Sequence, residues 1–175
     1  MNKIILVGYM GSGKTEIGKL VSKNAKIPFY DLDHLIENRL SKSINQIFSE
    51  HGEVFFRKKE HEIFTEMIHA EASFVLSLGG GTPCYANNHL LLQSEGVVSV
   101  YLKATIATLT ERLSDNKSGR PLLKDLSEEE LAEYIAKHLF DRSFYYNQCK
   151  HVVVVDGKTP SAIAEEVEAI YSKYA

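Results

Sequence analysis

Gly8-Tyr9-Met10-Gly11-Ser12-Gly13-Lys14-Thr15 follows the apolar run Ile4-Ile5-Leu6-Val7 and precedes Glu16-Ile17-Gly18-Lys19-Leu20-Val21, a stretch of helical pattern. Every fixed position of G-x-x-x-x-G-K-[ST] is filled, in the strand-before, helix-after context that gives the pattern its meaning. Such a turn is a phosphate cradle. Its glycines let successive backbone N–H groups converge on a polyphosphate, and the N-terminus of the following helix adds a favourable dipole. Lys14 supplies a mobile charge for the outer phosphates, and the Thr15 hydroxyl is suited to hold Mg²⁺. The alternative is a tight glycine turn with Lys14 merely solvated; the complete match in its full context favours the cradle.

The chain has 175 residues, of which 44% are hydrophobic, enough for one domain with a sizeable core. A formal net charge of -3 gives no global basic field for nucleic acid or an anionic membrane, so an anionic ligand must be held locally. The opening apolar run is too short for a signal-peptide core, and no stretch approaches the ~20 apolar residues of a membrane span. A cytoplasmic protein is expected, with neither nucleic acid nor membrane as partner and a monomer as its working unit. Cys84 and Cys149 form no C-x-x-C pair and no zinc spacing with the histidines, and read as reduced thiols.

Beyond the first helix, Ile27-Pro28-Phe29-Tyr30-Asp31 reads as a short strand, which puts Asp31 and Asp33 at the sheet edge where ligands collect in open α/β folds. From Asp33 the apolar residues take helical spacing. Ser43-Ile44-Asn45-Gln46 is a capping box for a helix that Gly52 closes, and a further helix runs from Glu53 to about His69. Phe74-Val75-Leu76-Ser77-Leu78 is a buried-type strand running into Gly79-Gly80-Gly81, where no side chain separates backbone from ligand. Helical pattern over 87–95, a strand over 97–102 and a helix over 105–113 follow. Polar, turn-rich residues around Arg120, about 114–126, read as a mobile lid. Ser127-Glu128-Glu129-Glu130 caps a long helix toward Arg142 and Tyr146, residues 151–155 form the last strand, and Pro160 starts a terminal helix. This alternation argues for an α/β fold, a parallel sheet covered on both faces.

A phosphate cradle alone indicates a nucleoside triphosphate; a second set of residues selects the reaction. Phosphoryl transfer asks for Mg²⁺, positive charge against the moving oxygens, and a group to orient the nucleophile. No acidic residue follows the Phe74 strand, so Asp31 takes the metal role while Asp33 faces the acceptor hydroxyl as base or orienter. A helix-capping role is the competing explanation for Asp-x-Asp. Arg57 and Arg142, each on a helical segment near aromatic residues, offer forks that grip a carboxylate through paired hydrogen bonds. For Arg57 the competing explanation is a surface ion pair with Glu60. Arg120 is placed to close over phosphates from the lid.

Taken together, Gly11-x-Gly13-Lys14-Thr15, Asp31-x-Asp33, Gly52-Glu53-x-x-Phe56-Arg57-x-x-Glu60, Gly79-Gly80-Gly81, Arg120-Pro121-Leu122-Leu123 and Arg142-x-x-x-Tyr146 resemble the shikimate kinases, in order and over nearly the whole chain. The resemblance implies a three-layer P-loop fold with a five-stranded parallel sheet in the order 2-3-1-4-5, one kinase domain over 1–175 with acceptor helices over about 33–61. It implies transfer of the ATP γ-phosphate to the 3-hydroxyl of shikimate, on the route to chorismate and aromatic amino acids. By the same likeness Gly11, Ser12, Gly13, Lys14, Thr15 and Glu16 hold ATP phosphates, Thr15 ligates Mg²⁺ and Asp33 meets the shikimate hydroxyls. Arg57 and Arg142 grip its carboxylate, Gly80 offers backbone contact, and Arg120 closes from the lid; Arg112 and Lys158 approach the adenine. Cys149 departs from the family pattern, which has a small residue there. The rivals are another small-molecule kinase of this architecture, acting on gluconate or a nucleoside monophosphate, and a regulatory protein that hydrolyses ATP without an acceptor.

Overall fold

A computed structural model describes residues 1–116 and 119–174 of the chain. Its centre is β1 (Lys3–Val7), whose five residues are all buried. Parallel strands covered on both faces need such unbroken apolar runs. β2 (Phe29–Asp31), β3 (Val75–Ser77), β4 (Val97–Lys103) and β5 (His151–Val154) complete one sheet in the order β2-β3-β1-β4-β5. All four pairings are parallel, with Ile4 opposite both Val75 and Val98. The strands therefore deliver their C-terminal ends to one edge.

Helices flank the sheet. α1 (Lys14–Ala25) and α7 (Pro160–Ser172) pack on each other, α2 (Leu32–Leu40) packs on α3 (Ile44–His69), and α5 (Ile106–Asp115) packs on α6 (Glu128–Tyr146). Both expected capping boxes form, Ser43 with Gln46 and Ser127 with Glu130. At Gly52 the backbone takes φ 81° and ψ 175°, so α3 is two helical segments joined end to end across a kink. Only glycine adopts that geometry readily. The helix expected over 87–95 is a single turn, α4 (Asn88–Leu91). Asn87 at its start is left-handed and gives no side-chain cap, and the chain then turns through Gly96 (φ 71°) into β4. Part of the expected lid, Lys117 and Ser118, lies outside the described residues; Pro121–Leu123 forms one 3-10 turn. Both cysteines are free, and burial pushes the Cys149 thiol up to about 12. No described helix is long and apolar enough to cross a membrane.

Gly18 sets how closely α1 approaches β2. A Cβ there would lie 2.5 Å from Phe29 Cε2 and 3.2 Å from Leu6 Cδ1. Alanine gains up to about 1 kcal/mol of helix propensity over glycine, whereas overpacking a filled site costs about 1–3 kcal/mol. The steric cost outweighs the propensity gain, so Gly18→Ala is expected to lower stability by about 1 kcal/mol in urea denaturation. A raised midpoint would show that the Phe29 ring yields freely.

Candidate active site

The turn after β1 folds as a concave strip because Gly11 (φ 85°) and Gly13 (φ 96°) both adopt left-handed backbone. Gly13 is the N-cap of α1 and offers no side chain to its first-turn N–H groups. Among the described helices of eight residues or more, every other one has a capping side chain: Asp31, Ser43, Thr105, Ser127 or Thr159. The donors of α1 are left for an anion. Ser12 Oγ is also buried with no hydrogen-bond partner among the described residues. Lys14 Nζ donates to the loop's own carbonyls, Gly8 O at 2.7 Å and Tyr9 O at 3.2 Å. Burial, reinforced by the charges of Arg120 and Arg142 and opposed by Asp31 and Asp33, lowers its pKa to about 8.

A cavity of about 880 Å³ opens over this strip. Residues Gly11 to Glu16, Asp31, Asp33, Gly80, Arg112, Arg120 and Lys158 all line it. Arg112 Nη1 donates to Gly11 O at 3.0 Å, and Lys158 pairs with Glu166 at 2.6 Å. Asp31 ends β2 and caps α2, its Oδ1 accepting from His34 N at 3.2 Å. The capping explanation for Asp31 is therefore correct, and compatible with a metal role, since a carboxylate has a second oxygen. Thr15 and Asp31 on one cavity are a donor set for a cation shared with a polyphosphate, and no cluster of three or more His, Cys, Asp or Glu forms a protein cage among the described residues.

The acceptor-side groups converge on the glycines after β3. A Cβ on Gly79 would lie 3.4 Å from Asp33 Oδ1, one on Gly80 3.1 Å from Arg142 Nη1, and one on Gly81 2.8 Å from Arg57 Nη2. The Gly80 position is also 3.8 Å from Gly8 O, so the cradle borders the same strip. Asp33, Arg57 and Arg142, which come from three helices, thus meet at one place, although the two arginines stand beyond the lining of the cavity over the cradle.

Arg57 is held from several sides. Its Nη1 donates to Glu60 Oε1 at 2.8 Å, and its Cζ lies 4.0 Å from the Tyr85 ring centroid. Glu60 is not the surface partner that its spacing implies: it is 1% exposed, and its second oxygen accepts from Thr82 Oγ1 at 2.7 Å. A buried, satisfied carboxylate fixes the guanidinium far better than a solvated one. Arg57 Nε has no hydrogen-bond partner among the described residues. Tyr146, which burial keeps protonated up to about 12, donates to Gly80 O at 2.6 Å beside Arg142. The support given by Thr82 and Tyr85 is invisible to spacing; the i,i+3 relation of Arg57 to Glu60 and the i,i+4 relation of Arg142 to Tyr146 are the traces the sequence carries.

Asp33 is the electrostatic outlier. Burial first, then the charges of Asp31 and Glu60, raise its pKa from 3.8 to about 6 against the pull of Lys14. It is a carboxylate whose proton affinity is close to what a base working near neutrality needs.

The shikimate kinase family model matches residues 10–171 of the chain. Shikimate kinase of Flavobacterium psychrophilum is 62% identical over 170 residues, covering 97% of this chain and 99% of that protein. Among solved structures, shikimate kinase of Bacteroides thetaiotaomicron superposes with a TM-score of 0.88 at 31% identity, over 98% of both chains. Shikimate kinase of Acinetobacter baumannii in complex with shikimate gives 0.84 at 28% identity, over 99% of this chain and 94% of that one. On a family match covering the cradle from Met10 onward, the acceptor helices and α6, together with that level of identity, the chain belongs to the shikimate kinase family.

Proposed function

We propose that the protein transfers the γ-phosphate of ATP to the 3-hydroxyl of shikimate, giving ADP and shikimate 3-phosphate on the route to chorismate and the aromatic amino acids. The observation that carries this reading is the convergence of Asp33, Arg57 and Arg142 on residues 79–81, beside the cradle. A small acceptor bearing one carboxylate and a ring of hydroxyls matches two guanidinium forks facing one carboxylate. A nucleotide acceptor asks instead for several phosphate-binding arginines and a base pocket.

In this reading Gly11 to Glu16 hold the ATP phosphates, and Lys14 exchanges the carbonyls of Gly8 and Tyr9 for phosphate oxygens, whose negative charge raises its proton affinity. Arg57 and Arg142 fix the acceptor carboxylate, and Gly80 offers its backbone. Asp33 aligns the 3-hydroxyl and receives its proton as the P–O bond forms. Arg120 closes from the lid, about 114–126, setting its charge against the moving phosphoryl group and excluding water. Thr15 and Asp31 would hold the Mg²⁺ that accompanies ATP, which supplies positive charge against the phosphate oxygens. Arg112 and Lys158 border the adenine end. One kinase domain over 1–175, with acceptor helices over about 33–61, acts as a cytoplasmic monomer.

The test is ADP release with Mg-ATP and shikimate, gluconate, AMP or no acceptor. Turnover is expected above background with shikimate alone; turnover with AMP alone would overturn the assignment.

Asp33 yields a second, sharper prediction. Because its folded-state pKa of about 6 lies above the ordinary 3.8, the stability it contributes is complete below pH 3.8 and is lost as pH rises through 6. The ionised form at pH 8 costs on the order of 2 kcal/mol, after discounting for solvent in the open cavity. Asp33→Asn is therefore expected to raise Tm at pH 8, with the gain vanishing near pH 4, while kcat falls about a hundredfold or more. In the parent, kcat/KM should drop with one-proton slope below about pH 6. Unchanged turnover in Asp33→Asn would remove this carboxylate from the mechanism.

A further inference from the structure

Tyr9 belongs to the cradle, yet its side chain packs against α6. It is 1% exposed, and its Oη shares a hydrogen bond of 2.8 Å with Nδ1 of His138. Its ring centroid lies 5.6 Å from Arg142 Cζ, so the guanidinium sits over the ring. The Tyr9 carbonyl, in turn, accepts from Lys14 Nζ at 3.2 Å and from Ser12 N at 3.1 Å. One residue thus touches the cation proposed for the phosphates and the cation proposed for the acceptor carboxylate.

On α6 the residues at positions 134, 138, 142 and 146 are spaced by four and share a face. The Tyr134 and His138 rings stand 4.3 Å apart at 72°, which fixes the imidazole from the side away from Arg142. Burial and the neighbouring Arg142 charge lower the His138 pKa, which favours the neutral ring that can accept from a phenol. Tyr146 then carries the stripe to Gly80 O at 2.6 Å. The face that points at the site is continuous from the Tyr9 hydroxyl to the glycine strip.

We infer that the Tyr9–His138 hydrogen bond is a positioning link that ties the seating of nucleotide in the cradle to acceptor affinity at Arg142, an inference that rests on the function proposed above. With the hydroxyl held by His138, the Tyr9 ring is fixed as the floor beneath Arg142. When Lys14 leaves the Gly8 and Tyr9 carbonyls for phosphate, the adjustment of the loop is transmitted through that ring to the guanidinium. Without the bond the ring turns independently of α6, and the two ligands no longer sense each other. Neither Tyr9 nor His138 reaches the reacting atoms; both act through Arg142.

The experiment compares the parent with Tyr9→Phe, His138→Leu, the double variant and His138→Asn, whose Oδ1 stands where Nδ1 stood. Tyr9→Phe keeps the ring beneath Arg142 and removes only the hydroxyl. Shikimate binding is titrated with and without a non-hydrolysable ATP analogue, and the ratio of the two dissociation constants measures the coupling. Tyr9→Phe and His138→Leu should each reduce that ratio and raise the shikimate KM roughly threefold to tenfold, the size of one lost hydrogen bond. The affinity for the analogue alone should move less than about twofold, the double variant should be no worse than either single one, and His138→Asn should recover the parent ratio. Additive losses, a parent-like KM and ratio in Tyr9→Phe, or an equal loss of analogue affinity would overturn the link. A parent that turns over shikimate while the variants match it defeats this inference alone; a parent with no shikimate turnover defeats the functional reading and the inference together.

Discussion

Residues 79–81 carry no side chain, and a Cβ would lie 3.1 Å from Arg142 at Gly80 and 2.8 Å from Arg57 at Gly81, while at Gly79 it would lie 3.0 Å from Thr82 Oγ1 with Asp33 Oδ1 in van der Waals contact at 3.4 Å. Parallel strands bring the end of β3 beside the end of β1, so bare backbone at this point lies against the phosphate cradle as well. Every other feature of the site follows from keeping that strip open. Glu60 and Thr82 anchor Arg57 on one side of it, and Tyr146 ties Arg142 and the Gly80 carbonyl together on the other. The bond that pins each partner is short and at least partly buried, which is where hydrogen bonds to charged groups hold geometry best.

The same convergence is electrostatically costly. Burial first, and then the charges of Asp31 and Glu60, raise the Asp33 pKa to about 6. Burial lowers the Lys14 pKa to about 8 against the pull of Asp31 and Asp33. A bound polyphosphate offsets the burial of the Lys14 charge and a bound carboxylate that of the arginines, whereas neither anion offsets the charge of Asp33. Strain of this kind, relieved in part by ligands, is expected where a site is prepared for charged substrates.

How much of this was legible in the sequence differs by feature. The cradle was read in full, because its glycines, Lys14 and Thr15 must fall at fixed spacing for backbone donors to converge. The sheet was legible as alternation of apolar runs with helical pattern, and both capping boxes formed where Ser43 and Ser127 marked them. The helix over 87–95 was overread, since its apolar spacing says nothing of the left-handed start at Asn87. The strand order and the identity of the acceptor rest on likeness to a family, whereas the carboxylate-gripping forks of Arg57 and Arg142 and the hydroxyl-facing carboxylate of Asp33 are legible in residue chemistry. Spacing cannot bring residues from α2, α3 and α6 together. The burial of Glu60 and the approach of Tyr9 to His138 were out of reach, because both depend on how α3 and α6 pack on the ends of β1 and β3.

Acceptor recognition depends most on the bare backbone beside Arg57. The decisive measurement is the dissociation constant of shikimate for Gly81→Ala, taken by calorimetry in the presence of an ATP analogue. Since Glu60, Tyr85 and Phe56 leave the guanidinium little room to retreat from a methyl group, affinity should fall about tenfold or more at a temperature where parent and variant are both folded, while analogue binding stays near that of the parent and Tm falls with the overpacking. Shikimate binding within about twofold of the parent would contradict the claim that acceptor recognition is built on this strip.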